Sequence, residues 1–245
     1  MAKIFGHDSE YIRRLRRNFF IKWLLLLLAA LATVVLMVSS LRLLRTHAVL
    51  DVLLIIAILF VVLSLVFRWR DVEEDGFISA FRGLRGEDDI CKLLQQLPDT
   101  YSVFRGLQFR EHNDTDFVVV GPTGVFTIEV KSHRGVIGYD GHRLTNNHRS
   151  FREKNFLSQA MSEAMDVHAF LREKTGLEAF VVPAIVFSSP RARVHFGKER
   201  LKGVYVIQKD WLLPLLQKYE HKEPLLNIEL IGKVLAMAVP QIKQS

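Results

Sequence analysis

The sequence holds a single cysteine, Cys91, among its 245 residues. One chain therefore forms no internal disulfide and no cysteine-rich zinc site, and the lone thiol suits a reducing compartment. No internal repeat and no low-complexity stretch interrupts it. Net charge is scarce over most of its length. Beyond residue 70 the chain carries 23 Lys and Arg against 23 Asp and Glu. The overall +7 and the pI near 9.6 belong entirely to residues 1–70, with ten basic residues against three acidic ones. A basic pI invites a nucleic-acid reading. Here it describes the N-terminal end instead.

That end is rich in apolar length. From Phe19 to Leu44 the chain is nearly all apolar, and a second run from Ala48 to Phe67 carries one charge, Asp51, near its start. Each run holds about 20 residues, enough to span about 30 Å of hydrocarbon as a helix. A cleaved signal peptide fits the first run poorly, because the run is long and a second follows at once. The expectation is a two-helix transmembrane hairpin, over about 20–41 and 48–67, within an anchor of residues 1–70. Arg13, Arg14, Arg16, Arg17 and Lys22 flank one side, Arg68 and Arg70 the other, and only Arg42 and Arg45 lie between the runs. The positive-inside rule then puts both ends in the cytoplasm, at an inner or plasma membrane. Trp23 and Trp69 fall where interfacial aromatics anchor such helices.

After a linker over 71–85, helical and strand-like segments alternate. Gly86–Leu97 reads as a helix ending at Pro98. Tyr101–Phe109, Asp116–Val120, Val125–Lys131 and Gly135–Tyr139 read as strands, the middle two joined by the turn Gly121-Pro122-Thr123-Gly124. Phe156–Lys174 reads as a helix, and Phe180–Ser188 and Val204–Gln208 as buried strands. Asp210–Lys218 and Ile228–Val239 close the chain as helices. The fold class expected is α/β, with a mixed sheet flanked by helices over 86–210 and a helical segment at 211–245 packing on it.

The hairpin carries the chemistry. With its turn centred between Pro122 and Thr123, Asp116 falls opposite Glu129. Opposed residues and residues two apart share a sheet face. Asp116, Glu129 and Lys131 thus leave one face beside Val118, Val120, Val125 and Thr127. Carboxylates and an ammonium at the end of an apolar face are costly unless paired or metal-bound. The set suits metal-assisted phosphodiester hydrolysis, with hard oxygen ligands for Mg²⁺ and a lysine to orient water or offset charge. A cross-strand salt-bridge cluster is the plain alternative. In the preceding helix Glu87 shares a stripe with Ile90, Cys91 and Leu94, so it points as the core residues do; an acid favoured by the helix N-terminus is the competing account. In the later helix Gln159 borders the stripe Phe156, Ala160, Ala164, Val167, Leu171, or is an ordinary surface amide.

Gly86-Glu87, the block from Asp114 through Asp116, Gly121-Pro122-Thr123-Gly124-Val125-Phe126-Thr127-Ile128-Glu129-Val130-Lys131-Ser132, then Gly135, Asn155 and Gln159 resemble the NERD (nuclease-related) domain of the PD-(D/E)xK nuclease superfamily. The resemblance runs from about Gly83 to Ser189. It implies a restriction-endonuclease-like core. It also implies that Glu87, Asp116, Glu129 and the Val130 carbonyl ligate Mg²⁺ or Mn²⁺, that Lys131 is catalytic, and that Gln159 assists. Ser132 stands where the family usually has Asn, and Phe156 where it usually has Pro.

Two local segments are basic in an otherwise balanced region. Lys131–Lys154 contains Arg134, Arg143, Arg149, Arg152 and Lys154, and Arg191–Lys202 is the second; each nets +4. Either contacts phosphates or is a solvated loop. His133, His142 and His148 show no metal-ligand spacing. The sequence thus supports a membrane-anchored nuclease acting on DNA, against an inactive nuclease-fold module that binds nucleic acid or a protein at the membrane, or a signalling protein with structural carboxylates. A bilayer is the further partner expected. Self-association and other membrane-associated partners stay open.

Overall fold

The computed structural model describes residues 1–6, 21, 24, 28, 82–110, 113–151, 155–197, 199–220 and 227–239. The two apolar runs lie outside the described residues except at positions 21, 24 and 28. Among the described residues no helix is long and apolar enough to cross a membrane.

The domain is a seven-stranded mixed sheet with helices on both faces, and a smaller four-stranded sheet at one end. Strands are numbered in chain order: β1 (Lys3–Phe5), β2 (Ser102–Arg110), β3 (Asn113–Gly121), β4 (Gly124–Lys131), β5 (Gly135–Tyr139), β6 (Leu144–Asn146), β7 (Arg149–Ser150), β8 (Val181–Phe187), β9 (Ala192–Val194), β10 (Arg200–Leu201) and β11 (Val204–Gln208). The large sheet runs β1-β2-β3-β4-β8-β11-β10 and the small one β7-β6-β5-β9. Helices are α1 (82–94), α2 (Phe156–Thr175), α3 (Leu212–Lys218) and α4 (Ile228–Met237).

The hairpin register agrees with the sequence reading. Phe117 pairs with Ile128, Val118 with Thr127 and Val120 with Val125. Period-two alternation then sorts the side chains onto two cores. Phe117, Val119, Phe126 and Ile128 pack with Ile90 and Leu94 of α1, with Leu97 just beyond it, and with Leu212 and Leu216 of α3. Val118, Val120 and Val125 pack with Ala164, Val167 and Leu171 of α2 and with Ile231 and Leu235 of α4. The C-terminal helices therefore cover opposite faces.

α2 follows from local chemistry. The Asn155 side chain accepts from the Leu157 amide at the N-cap, and Gly176, at φ 69°, ends the helix in a left-handed conformation. α2 carries the chain across the sheet between β4 and β8, which pair in parallel.

Two boundaries shift. Residues 1–6 do not belong to an anchor of 1–70: Lys3–Phe5 pair in parallel with Ser102–Phe104 as an edge strand, and the Phe5 ring stacks on Phe104 at 5.0 Å. Three residues are too short to show periodicity. Gly6 follows at φ 110°, where a Cβ would meet the Arg105 carbonyl oxygen. The stretch expected over 71–85 as a linker or juxtamembrane helix is helical from residue 82, so α1 begins ahead of the Gly86 expected.

Candidate active site

β4 and β8 end side by side, with Lys131 paired to Phe187. At that end four carboxylates gather, from four elements. Asp116 comes from β3, Glu129 from β4, Glu163 from α2, and Glu87 approaches from α1.

Glu129 is 5% exposed, and its Oε1 accepts from Lys131 Nζ at 2.6 Å and from Gln159 Nε2 at 2.9 Å. The same Gln159 amide nitrogen donates to Glu163 Oε1 at 2.9 Å. One amide thus ties two acids on different elements. Lys131 Nζ also sits 4.3 Å from the centroid of the Phe156 ring. An ammonium over an aromatic face is held electrostatically by the ring quadrupole. Phe156, placed where the resembling family usually carries Pro, here supplies a platform for the lysine.

The β3–β4 ladder stops at Phe117 and Ile128, one step short of Asp116 and Glu129. Asp116 Oδ2 instead accepts from the Val130 amide at 2.7 Å. The contribution of Val130 that the structure displays is this N–H, where the sequence reading expected its carbonyl as a ligand. Glu87 is held by Arg105 of β2, which donates to Glu87 Oε2 at 3.3 Å and to Asp88 Oδ1 at 2.9 Å. The Arg105 side chain is only 7% exposed. The geometry thus adds a counter-ion for Glu87.

The electrostatics follow from burial. Desolvation pushes the Asp116 carboxyl well above the usual range, with the charges of Glu129 and Glu87 adding to it and the Val130 amide opposing. Glu87 is raised by desolvation and partly restrained by Arg105. Glu163 is wholly buried and pushed up to about 8, by desolvation first and by the charge of Glu129 second. Glu129 Oε2, Glu163 Oε2 and Thr127 Oγ1 are buried with no hydrogen-bond partner.

These orphaned oxygens and shielded acids make a donor set of the kind that hard divalent cations take. Among the described residues, though, no three His, Cys, Asp or Glu side chains converge closely enough to hold a metal ion as they stand. Lys131 and Gln159 occupy Oε1 of Glu129 and leave Oε2 as its open oxygen. The donor set fits in kind; the packed rotamers do not yet enclose a common point.

Glu163 went unnoticed in the sequence. The signal was present: it lies three residues after Ala160 and four before Val167, an acid on the apolar stripe of α2. His133 packs between the rings of Phe151 and Phe156, while His142 and His148 are exposed. Arg134, Arg143 and Arg149 are exposed on or beside the small sheet; Arg152 and Lys154 lie outside the described residues.

The site is thus a carboxylate–lysine cluster at the end of a mixed sheet, backed by a helix that adds a glutamine. Residues 82–188 match the model of the NERD family, the nuclease-related domain. No curated protein matches the chain, and no solved structure matches it.

Proposed function

We propose that this chain is a metal-dependent nuclease that hydrolyses phosphodiester bonds of DNA. In this reading residues 20–41 and 48–67 tether it to a membrane, with the domain on the cytoplasmic side. The observation that carries the proposal is the gathering of Asp116, Glu129, Lys131, Gln159 and Glu163 at one end of the sheet, inside a region that matches a nuclease-related family. A restriction-endonuclease-like core agrees with the mixed sheet flanked by helices.

Glu87, Asp116 and Glu129 are the residues to hold Mg²⁺ or Mn²⁺, with Glu163 added from α2. A bound divalent cation would supply charge neutralisation at the phosphate and a lowered pKa for an attacking water. Lys131, poised on Phe156, orients that water through Nζ and offsets charge on the non-bridging oxygens. Gln159 fixes the Glu129 rotamer through its hydrogen bond to Oε1. Arg134, Arg143 and Arg149 contact the phosphate backbone beside the cut, with Arg152 and Lys154 completing that set.

The test is incubation of the full chain, in detergent, with linear, circular and single-stranded DNA and with RNA, in Mg²⁺ or Mn²⁺. Cleavage by the native chain that disappears in Glu129→Ala supports the proposal. Cleavage that survives Glu129→Ala, or none on any substrate, sinks it.

One observation favours a second reading. Lys131 and Gln159 already satisfy Glu129 Oε1, and no three ligands converge among the described residues. A nuclease fold that only binds nucleic acid or a protein at the membrane has those properties. It predicts retained binding and no cleavage by the native chain.

A further inference from the structure

The two basic segments, Lys131–Lys154 and Arg191–Lys202, meet in the small sheet. β5 begins at Gly135, shortly after β4 ends at Lys131, and β9 begins at Ala192, shortly after β8 ends at Phe187. The two strands then pair in parallel, Gly135 with Ala192 and Val136 with Arg193. Backbone bonds join the sheets on the way: Ser188 N donates to Lys131 O, and Gly135 N to Arg191 O, each at 3.0 Å. The small sheet is therefore an extension of the β4–β8 pair beyond the carboxylate–lysine cluster. Its inner face is sealed by Ile137, Leu144 and Ala192 against Phe156, Leu157 and Phe187.

The outer side is cationic. Arg134, Arg143, Arg191 and Arg193 are exposed, and none makes an ion pair with a described carboxylate; Arg149, in register with Asn146 and Ile137, belongs to the other face at the sheet's edge. The acid within the sheet, Asp140, is occupied by the amides of His142 and Arg143 and by the Ser150 hydroxyl. Lys202 reaches in from the turn after β10, donating to the His142 carbonyl at 3.2 Å. Arg200 is turned away onto Tyr205 and Tyr219. Exposed guanidinium groups without counter-ions, spread over a short flat sheet, match the repeating charge of a phosphate backbone.

We infer that the outer face of the β7-β6-β5-β9 sheet, centred on Arg193, Arg191 and Arg134, is a docking surface for duplex nucleic acid that continues past the bond held at Glu129 and Lys131. The five residues of β5 extend about 16 Å, which covers about five base pairs at about 3.4 Å each. The direction of the duplex rests on the nuclease reading; the docking itself does not.

Anisotropy of a labelled 30-base-pair duplex, with the full chain in detergent and EDTA, tests this against the double variant Arg191→Gln/Arg193→Gln. Both side chains are exposed, so the fold survives, and circular dichroism checks that. The double variant is expected to bind about tenfold more weakly and to lose about 1.8 from the slope of log K against log salt, about 0.9 for each phosphate contact. An unchanged affinity and slope overturns the inference. So does a loss confined to vesicles of anionic lipid, which would make the face a membrane contact. The two readings fail separately. Duplex binding lost in the double variant, without cleavage by the native chain, keeps the docking face and removes the nuclease. Glu129-dependent cleavage with native binding by the double variant does the reverse.

Discussion

Glu163, which no solvent reaches, is fastened to Glu129 through the side-chain nitrogen of Gln159, 2.9 Å from each. Two acids bridged by one donor, with one oxygen of each left unpartnered, put a conditional charge at the heart of the site.

The pH dependence of stability follows. Burial raises Glu163 from 4.5 to about 8 in the folded chain. Between those values the folded protein keeps a proton that the unfolded chain has released. The stability associated with that proton is fully present below pH 4.5 and is lost as pH climbs to about 8. The loss is on the order of a few kcal/mol. Glu163→Gln removes the titrating group, so its melting temperature should exceed that of the native chain at pH 8 and approach it at pH 5. Thermal melts across that range, without divalent ions, check this; parallel curves for the two proteins would contradict it.

Divalent cations compete with the same protons. Mg²⁺ or Mn²⁺ at about ten times its dissociation constant should stabilise the domain by about 1.4 kcal/mol, a rise of about 3–6 °C. The gain should be larger at pH 8 than at pH 6, because Glu163 must give up its proton to become a ligand. Asp116→Asn should abolish the gain. Melts in a grid of pH and metal concentration measure it.

Lys131 is positioned by an aromatic ring as well as by a carboxylate. Phe156→Leu keeps an apolar residue in the core around Ile137 and Leu157 but removes the ring. The lost cation–π attraction is about 1–2 kcal/mol, so kcat should fall about tenfold with KM little changed. Steady-state kinetics on a cleavable substrate give the split, and an altered KM at native kcat would assign Phe156 to substrate binding instead.

Arg105 holds Glu87 and Asp88 across the gap between β2 and α1. Arg105→Met leaves Glu87 partly buried without this cation. Discounted for the exposure of Asp88, the cost is about 2 kcal/mol, readable as a lower urea midpoint at unchanged slope. A midpoint equal to that of the native chain would show that the pair contributes nothing.

Much of the fold is legible in the sequence because periodicity and turn chemistry act locally. The Gly121–Gly124 turn sets the register, and the register sets which of Phe117 and Val118 meets α1 or α2. β5 and β11 fall where alternation and apolar runs place them. β1, β6, β7, β9 and β10 escape notice because two or three residues carry no period, and only long-range pairing makes them strands. The site divides in the same way. Asp116, Glu129 and Lys131 come from one hairpin and can be placed by counting. Arg105, 18 residues from Glu87, and Glu163, 34 residues from Glu129 by the numbering, arrive through packing, which a one-dimensional pattern does not encode.

The edge strand formed by Lys3–Phe5 ties the first residues of the chain into the same compact unit as residues 81–245. Backbone pairing with β2, the Phe5–Phe104 stack and the packing of Ala2 and Ile4 on the core make β1 a cap on the β2 edge, so removing residues 1–6 would open that edge to pairing with another chain.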